Sequence, residues 1–209
     1  MALYKTINVN ETTKVLIWNI TETLEELKEG IDLTRNSEQR LKGMKSDLHQ
    51  KGFVSVRQLL KEVGYSDEDL LYDGYGKPHL KDGKHISITH SYTFSGIIIS
   101  DDIPVGIDIE KRRDKILKIK HKFTPVEAYK SIANDDALIS KLTIVWGAKE
   151  SLYKIYGKKK LLFLDHIYID DFSFETDYTT GKILYEGVFT EYNIKFFEFD
   201  DEFTCVYAL

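Results

Sequence analysis

Cysteine occurs once, at Cys205, and proline three times, at Pro78, Pro104 and Pro125. No uninterrupted apolar run approaches the ~18 residues that a membrane-crossing helix needs. The single cysteine excludes an internal disulfide and a cysteine-built zinc cluster. With so little proline and no low-complexity stretch, no disordered linker is evident. An excess of basic charge is also missing: the formal net charge is -5, which argues against a general nucleic-acid binder. The apolar patch Leu16-Ile17-Trp18 is too short for a secretory signal, so the expected address is the cytoplasm. There is no glycine-rich phosphate loop of the Walker or dinucleotide type. His49, His79, His85, His121 and His166 form no metal-ligand or triad spacing.

What is present reads as a soluble globule, with 42% hydrophobic and 30% charged residues. A chain of 209 residues buries about 70% of its unfolded surface, enough for a substantial core. Residues 37–63 read as helical, in two pieces broken near Gly52, with Val54, Val56, Leu59, Leu60 and Val63 as the apolar face. The segment 73–78 is dense in turn residues. Residues 85–89, 94–100 and 105–110 read as strands, the last two joined by a turn at 101–104. Helical signals return at Phe123, where Thr124 can cap, Pro125 suits the first turn and Glu127 completes a capping box. Residues 141–156 read as a second helix closed by Gly157. Strands follow at 166–174, 183–189, 192–199 and 203–208. The expected class is α+β, with two α/β subdomains, 1–105 and 106–209, each a helical part followed by strands.

Four stretches carry polar chemistry. In Gly106-Ile107-Asp108-Ile109-Glu110, strand alternation puts both carboxylates on one face. Hard oxygen donors so paired suit Mg²⁺. In the stretch from Trp146 to Lys154, Glu150 and Lys154 are i,i+4 neighbours flanking the apolar stripe of the helix. Lys149 falls inside that stripe and is expected to snorkel or to meet an anionic partner. Ile88-Thr89-His90-Ser91 ends a strand with an imidazole, and Gly76-Lys77-Pro78 is a rigid turn carrying a lysine. Each stretch taken alone has a purely structural explanation.

Their order and spacing together resemble the 4'-phosphopantetheinyl transferase superfamily, in its single-chain, surfactin-synthetase-activating type. That type is built as a pseudo-dimer of two similar halves. The resemblance covers about residues 57–165. It implies that Asp108, Glu110 and Glu150 are Mg²⁺ ligands and that Lys154 lies near the coenzyme A pyrophosphate. It implies that His90, after Thr89 where the family carries serine, binds a phosphate. It also places Gly76, Lys77 and Pro78 beside the adenine, with Arg57 at the 3'-phosphate end. The implied reaction moves 4'-phosphopantetheine from coenzyme A to a serine of an apo acyl or peptidyl carrier protein and releases 3',5'-ADP. Glu127, Glu150 or a water at the metal would accept the serine proton. Carriers of this kind are acidic, so the run Lys111, Arg112, Arg113, Lys115, Lys118, Lys120 and Lys122 is a docking candidate. A monomer without nucleic-acid or membrane partners is implied. Two other classes use the same residues: a metal-dependent pyrophosphate or phosphodiester hydrolase, and a non-catalytic binder of coenzyme A or carrier.

Overall fold

The computed structural model describes residues 3–125 and 128–209. The internal contacts of the chain divide it into two units, Met1–Pro104 and Val105–Leu209.

The first unit runs β1 (Leu3–Asn8), β2 (Thr13–Asn19), α1 (Leu24–Lys28), α2 (Arg35–Gly43), α3 (Asp47–Glu62), β3 (Leu70–Tyr72), β4 (Pro78–Leu80), β5 (His85–Ser91) and β6 (Phe94–Ser100). Four strands form an antiparallel sheet in the order β1-β2-β6-β5, and β3 pairs with β4 as a separate hairpin. Helix α3 packs on β2, β5 and β6. Its Phe53, Val56, Leu59 and Leu60 recur at helical spacing and share a core with Leu16, Trp18, Ile97 and Ile99. The expected break at Gly52 does not occur. The helices part at residues 44–46, and Gly52 lies inside α3. A Cβ there would sit 2.8 Å from the ring of His90, so this glycine answers to close packing.

The second unit runs β7 (Gly106–Lys111), α4 (Lys115–Ile119), α5 (Asp135–Tyr156), α6 (Phe163–His166), β8 (Ile167–Ile169), β9 (Tyr178–Tyr185), β10 (Val188–Phe199) and β11 (Phe203–Ala208). Its five-stranded sheet has the order β7-β11-β10-β9-β8 and is antiparallel throughout. Helix α5 lies on β7 and β11, and Ile144, Ala148 and Leu152 join Ile194, Phe196 and Val206 in one core.

The two units share a connectivity. In the first, β2 leads to the long helix α3 and then to the hairpin β5–β6, whose last strand returns beside β2. In the second, β7 leads to α5 and then to the hairpin β10–β11, whose last strand returns beside β7. The chain is therefore α+β, with two units of like topology.

Several sequence expectations shift. Residues 94–100 and 106–111 are not a hairpin; they pair in different sheets. The helix expected at Phe123 is displaced: α4 precedes it, and the Thr124 hydroxyl donates back to the Lys120 carbonyl. Glu127, with its capping box, lies outside the described residues. Helix α5 starts at Asp135 because the Asn134 side chain accepts from Ala137 N. The strand expected over 183–189 is interrupted by a hairpin turn: β9 ends at Tyr185 and β10 begins at Val188, with Glu186 (φ 52°) and Gly187 (φ 78°) between them, both left-handed.

Candidate active site

The site lies in the second unit, where α5 crosses β7. Trp146, Glu150 and Lys154 are four residues apart and so line one side of the helix. Four helical residues rise about 6 Å, and two strand residues advance about 6.6 Å. A row of i,i+4 side chains on α5 can therefore stay in step with alternate residues of β7. The contacts follow that step. The Trp146 indole N–H donates to Glu110 Oε1 at 3.2 Å. The Lys154 ammonium donates to Asp108 Oδ1 at 2.8 Å and to the Ile107 carbonyl at 2.7 Å.

Small residues bring the helix this close. A Cβ on Gly106 would fall 2.0 Å from the Ser151 carbonyl oxygen, and one on Gly147 would fall 2.8 Å from Val206 Cγ2. The Ser151 hydroxyl donates to the Val206 carbonyl at 3.1 Å, fastening α5 to β11.

The acidic side chains sense one another. Burial and the Asp108 charge push Glu110 up to about 7, while the Trp146 bond and Arg113 work the other way. Burial and Asp108 likewise push Glu150 up to about 7 against the pull of Lys154. Asp108 has only 8% of its side chain exposed. Three carboxylates against one ammonium leave an excess of negative charge when all are ionised.

The described residues hold no ready-made cage of three or more ligating His, Cys, Asp or Glu side chains. The donor set nevertheless fits Mg²⁺, which keeps several waters and takes one or two protein carboxylates together with substrate phosphates. Asp108 is close enough for its charge to push both Glu110 and Glu150 up, a crowding of like charge that a divalent cation would relieve. Among Asp108, Glu110 and Glu150 there are enough carboxylates to supply the one or two that such an ion takes.

Lys149 departs from expectation. It is 4% exposed, and its ammonium bonds the carbonyls of Phe163 and Ile167. Burial pushes it down to about 8. It fastens α6 and the start of β8 to α5; its hydrogen-bond partners are carbonyls, with the Asp165 charge acting on it as well.

The other expected residues belong to the first unit. Lys77 sits in the β3–β4 turn, where Asp73 Oδ1 accepts from Tyr75 N and Lys77 N and Gly76 adopts φ 88°. Pro78 opens β4. Lys77 is half-buried, and that burial lowers its ammonium below the usual lysine range. Thr89 is buried in β5 and His90 is exposed near its end. The His90 ring lies edge-on to His49, centroids 5.8 Å apart. Arg57 does not fit the role of a phosphate contact. It is 3% exposed, ion-paired to Asp67 at 2.9 Å, bonded to the Phe53 carbonyl and stacked on the Phe53 ring.

Sequence reading missed the contact of Trp146 with Glu110. The signal was available, because Trp146 stands one helical step before Glu150. Trp146 also walls a cavity of about 160 Å³, with Glu110, Arg113, Ile116, Ile119 and Thr143 among the other lining residues.

Residues 104–208 match the family model of the 4'-phosphopantetheinyl transferase superfamily, which covers half of the chain. The chain belongs to that superfamily. It is similar to 4'-phosphopantetheinyl transferase Sfp of Bacillus subtilis (strain 168), with 34% identity over 130 residues and 58% of each chain covered. A second relative, 4'-phosphopantetheinyl transferase ffp of Bacillus subtilis, is 32% identical over 131 residues, again with 58% of each chain covered. A third, 4'-phosphopantetheinyl transferase psf-1 of Bacillus pumilus, is 28% identical over 114 residues, covering 51% of this chain and 48% of the relative. The matched stretch thus spans about half the length of these relatives. No helix among the described residues is long and apolar enough to cross a membrane.

Proposed function

We propose that this chain transfers the 4'-phosphopantetheine group of coenzyme A to a serine of an apo acyl or peptidyl carrier protein, in a Mg²⁺-dependent reaction that releases 3',5'-ADP. The observation that carries this reading is the row Trp146, Glu150 and Lys154 on α5 set against Asp108 and Glu110 on β7. It joins an acidic group suited to a divalent ion with an ammonium suited to a pyrophosphate.

Asp108, Glu110 and Glu150 would hold Mg²⁺, whose chemistry when bound is to neutralise and orient the pyrophosphate. Lys154 is held in place by Asp108 and the Ile107 carbonyl. Its charge stabilises the phosphate that leaves as 3',5'-ADP. Glu127, Glu150 or a water at the ion would take the serine proton. In the first unit, Gly76, Lys77 and Pro78 are proposed to meet the adenine, and Thr89 and His90 a phosphate. Arg57 is left out, since its guanidinium is spent on Asp67.

Within the basic segment, Lys111 pairs with Glu202 and Arg112 with Glu198. Arg113, Lys115, Lys118 and Lys122 are exposed and are the residues proposed to face an acidic carrier. The proposed setting is the cytoplasm, with the protein acting as a monomer.

Mass spectrometry of an apo carrier incubated with the protein, coenzyme A and Mg²⁺ tests the reaction class. The expected result is a gain of one phosphopantetheine per carrier. Formation of 3',5'-ADP with no carrier present would instead identify a hydrolase. Bound coenzyme A with no product would identify a binder.

A further inference from the structure

Glu110 sits one residue from the end of β7, on a side chain with several rotatable bonds, and opposing partners compete for it. On one side are Asp108 and Glu150, whose charges repel it. Against them works Arg113, which lines the same cavity as Glu110 and attracts its carboxylate. Trp146 holds it directly: its indole N–H bonds Glu110 Oε1 at 3.2 Å.

The indole has little freedom to give way. It packs edge-on against Phe123, with centroids 5.1 Å apart, and tilted against Phe163 at 5.3 Å. Phe123 is fully buried. Trp146 also rides on α5, the helix that carries Glu150 and Lys154. The donor is neutral, which matters for the chemistry. A lysine or arginine at this place would pin Glu110 but cancel its charge. An indole N–H fixes the carboxylate and leaves the full negative charge for a cation.

We infer that Trp146 is a positioning residue: its indole N–H fixes one oxygen of the Glu110 carboxylate in the row that α5 and β7 share, and so sets the affinity of the acidic group for a divalent cation. This rests on the reading of that group as a cation site.

The test uses Mn²⁺ alone, titrated into the full chain and followed by calorimetry or by loss of the free-ion electron paramagnetic resonance signal. Trp146→Phe keeps a ring between Phe123 and Phe163 while removing the donor and one ring of the indole. It is expected to bind Mn²⁺ about tenfold more weakly, the low end of what loss of a ligand-orienting partner does, with melting close to that of the parent. In a Glu110→Gln background the same substitution is expected to change nothing further. Equal affinity in Trp146→Phe and the parent would overturn the inference, as would an undiminished loss in the Glu110→Gln background.

A second measurement needs no substitution at Trp146. The chain holds two tryptophans, and the Trp18 indole N–H is directed at Glu22 in the other unit. In ¹⁵N-tryptophan-labelled protein, with signals assigned through Trp18→Phe, Mg²⁺ should move the Trp146 indole resonance and spare that of Trp18. Mg²⁺ binding by calorimetry with an unmoved Trp146 signal would overturn the inference while leaving the cation site intact. Absence of any divalent binding in the parent would remove the cation site itself, and the inference with it.

Discussion

The ammonium of Lys154 on α5 and the carboxylate of Asp108 on β7 are bonded at 2.8 Å across 46 residues of sequence. Asp108 is nearly sealed from solvent, at 8% exposure, while Lys154 keeps 27%. The pair therefore ties helix to strand and leaves one face of the ammonium open to a ligand.

Removing that ammonium should be felt twice. Lys154→Met leaves a buried carboxylate without its cation and is expected to cost about 2 kcal/mol, less than a fully buried pair because Lys154 is partly solvated. Transfer activity should fall at least about a hundredfold, as for other electrostatic stabilisers of a leaving group. Urea denaturation checks the first figure and single-turnover kinetics the second. Lys154→Met/Asp108→Asn should recover stability without recovering activity.

The pH dependence of stability has a defined sign. Glu110 and Glu150 both stand near 7 when folded, against an ordinary value of 4.5. Between those two values the folded protein binds more protons than the unfolded chain, so stability falls as pH rises through the window. Melting temperatures between pH 5 and pH 8 should show that decline without divalent ions. Mg²⁺ should reverse it at pH 8, where both carboxylates are ionised. Glu110→Gln/Glu150→Gln should flatten the decline and abolish the Mg²⁺ response.

Gly106 is fixed by the helix above it. A Cβ there would stand 2.0 Å from the Ser151 carbonyl oxygen, a backbone atom that cannot rotate away. Gly106→Ala is expected to lower stability by about 3 kcal/mol or more and to move Glu150 and Lys154 away from β7. A melting temperature equal to that of the parent would contradict this account of the close approach.

Arg57 offers a test between two roles. As half of a buried ion pair with Asp67, it should cost about 3–5 kcal/mol when replaced by methionine. Burial opposes the Asp67 charge, but bonds from Ser37 and Thr34 and the Arg57 guanidinium hold this carboxyl below the usual range. The stability it contributes is therefore present above the unfolded carboxyl value and is lost as pH falls. A stable Arg57→Met protein with only a raised KM for coenzyme A would return Arg57 to the phosphate role.

The legible parts of this protein are those governed by local periodicity. Alternation along β7 put Asp108 and Glu110 on one face, and i,i+4 spacing put Glu150 and Lys154 on one side of α5. Contacts set by tertiary packing were not legible. Lys149 inside an apolar stripe reads as a snorkelling side chain or one meeting an anion, because nothing local reveals that the carbonyls of Phe163 and Ile167 meet it. Arg57 sits in a helical run with no sign that Asp67, beyond the end of α3, would fold back onto it. The Glu186–Gly187 turn lacks the usual asparagine or aspartate before its glycine, so residues 183–189 read as one strand across it.

The central claim is that the Asp108-centred group performs the transfer, and one comparison addresses it directly. The parent and a folded Asp108→Ala variant are each mixed with one equivalent of apo carrier, coenzyme A and Mg²⁺, and carrier mass is followed with time. The account predicts one phosphopantetheine per carrier with the parent, and a rate at least about a hundredfold lower with Asp108→Ala. Labelling by Asp108→Ala at the parental rate would contradict it.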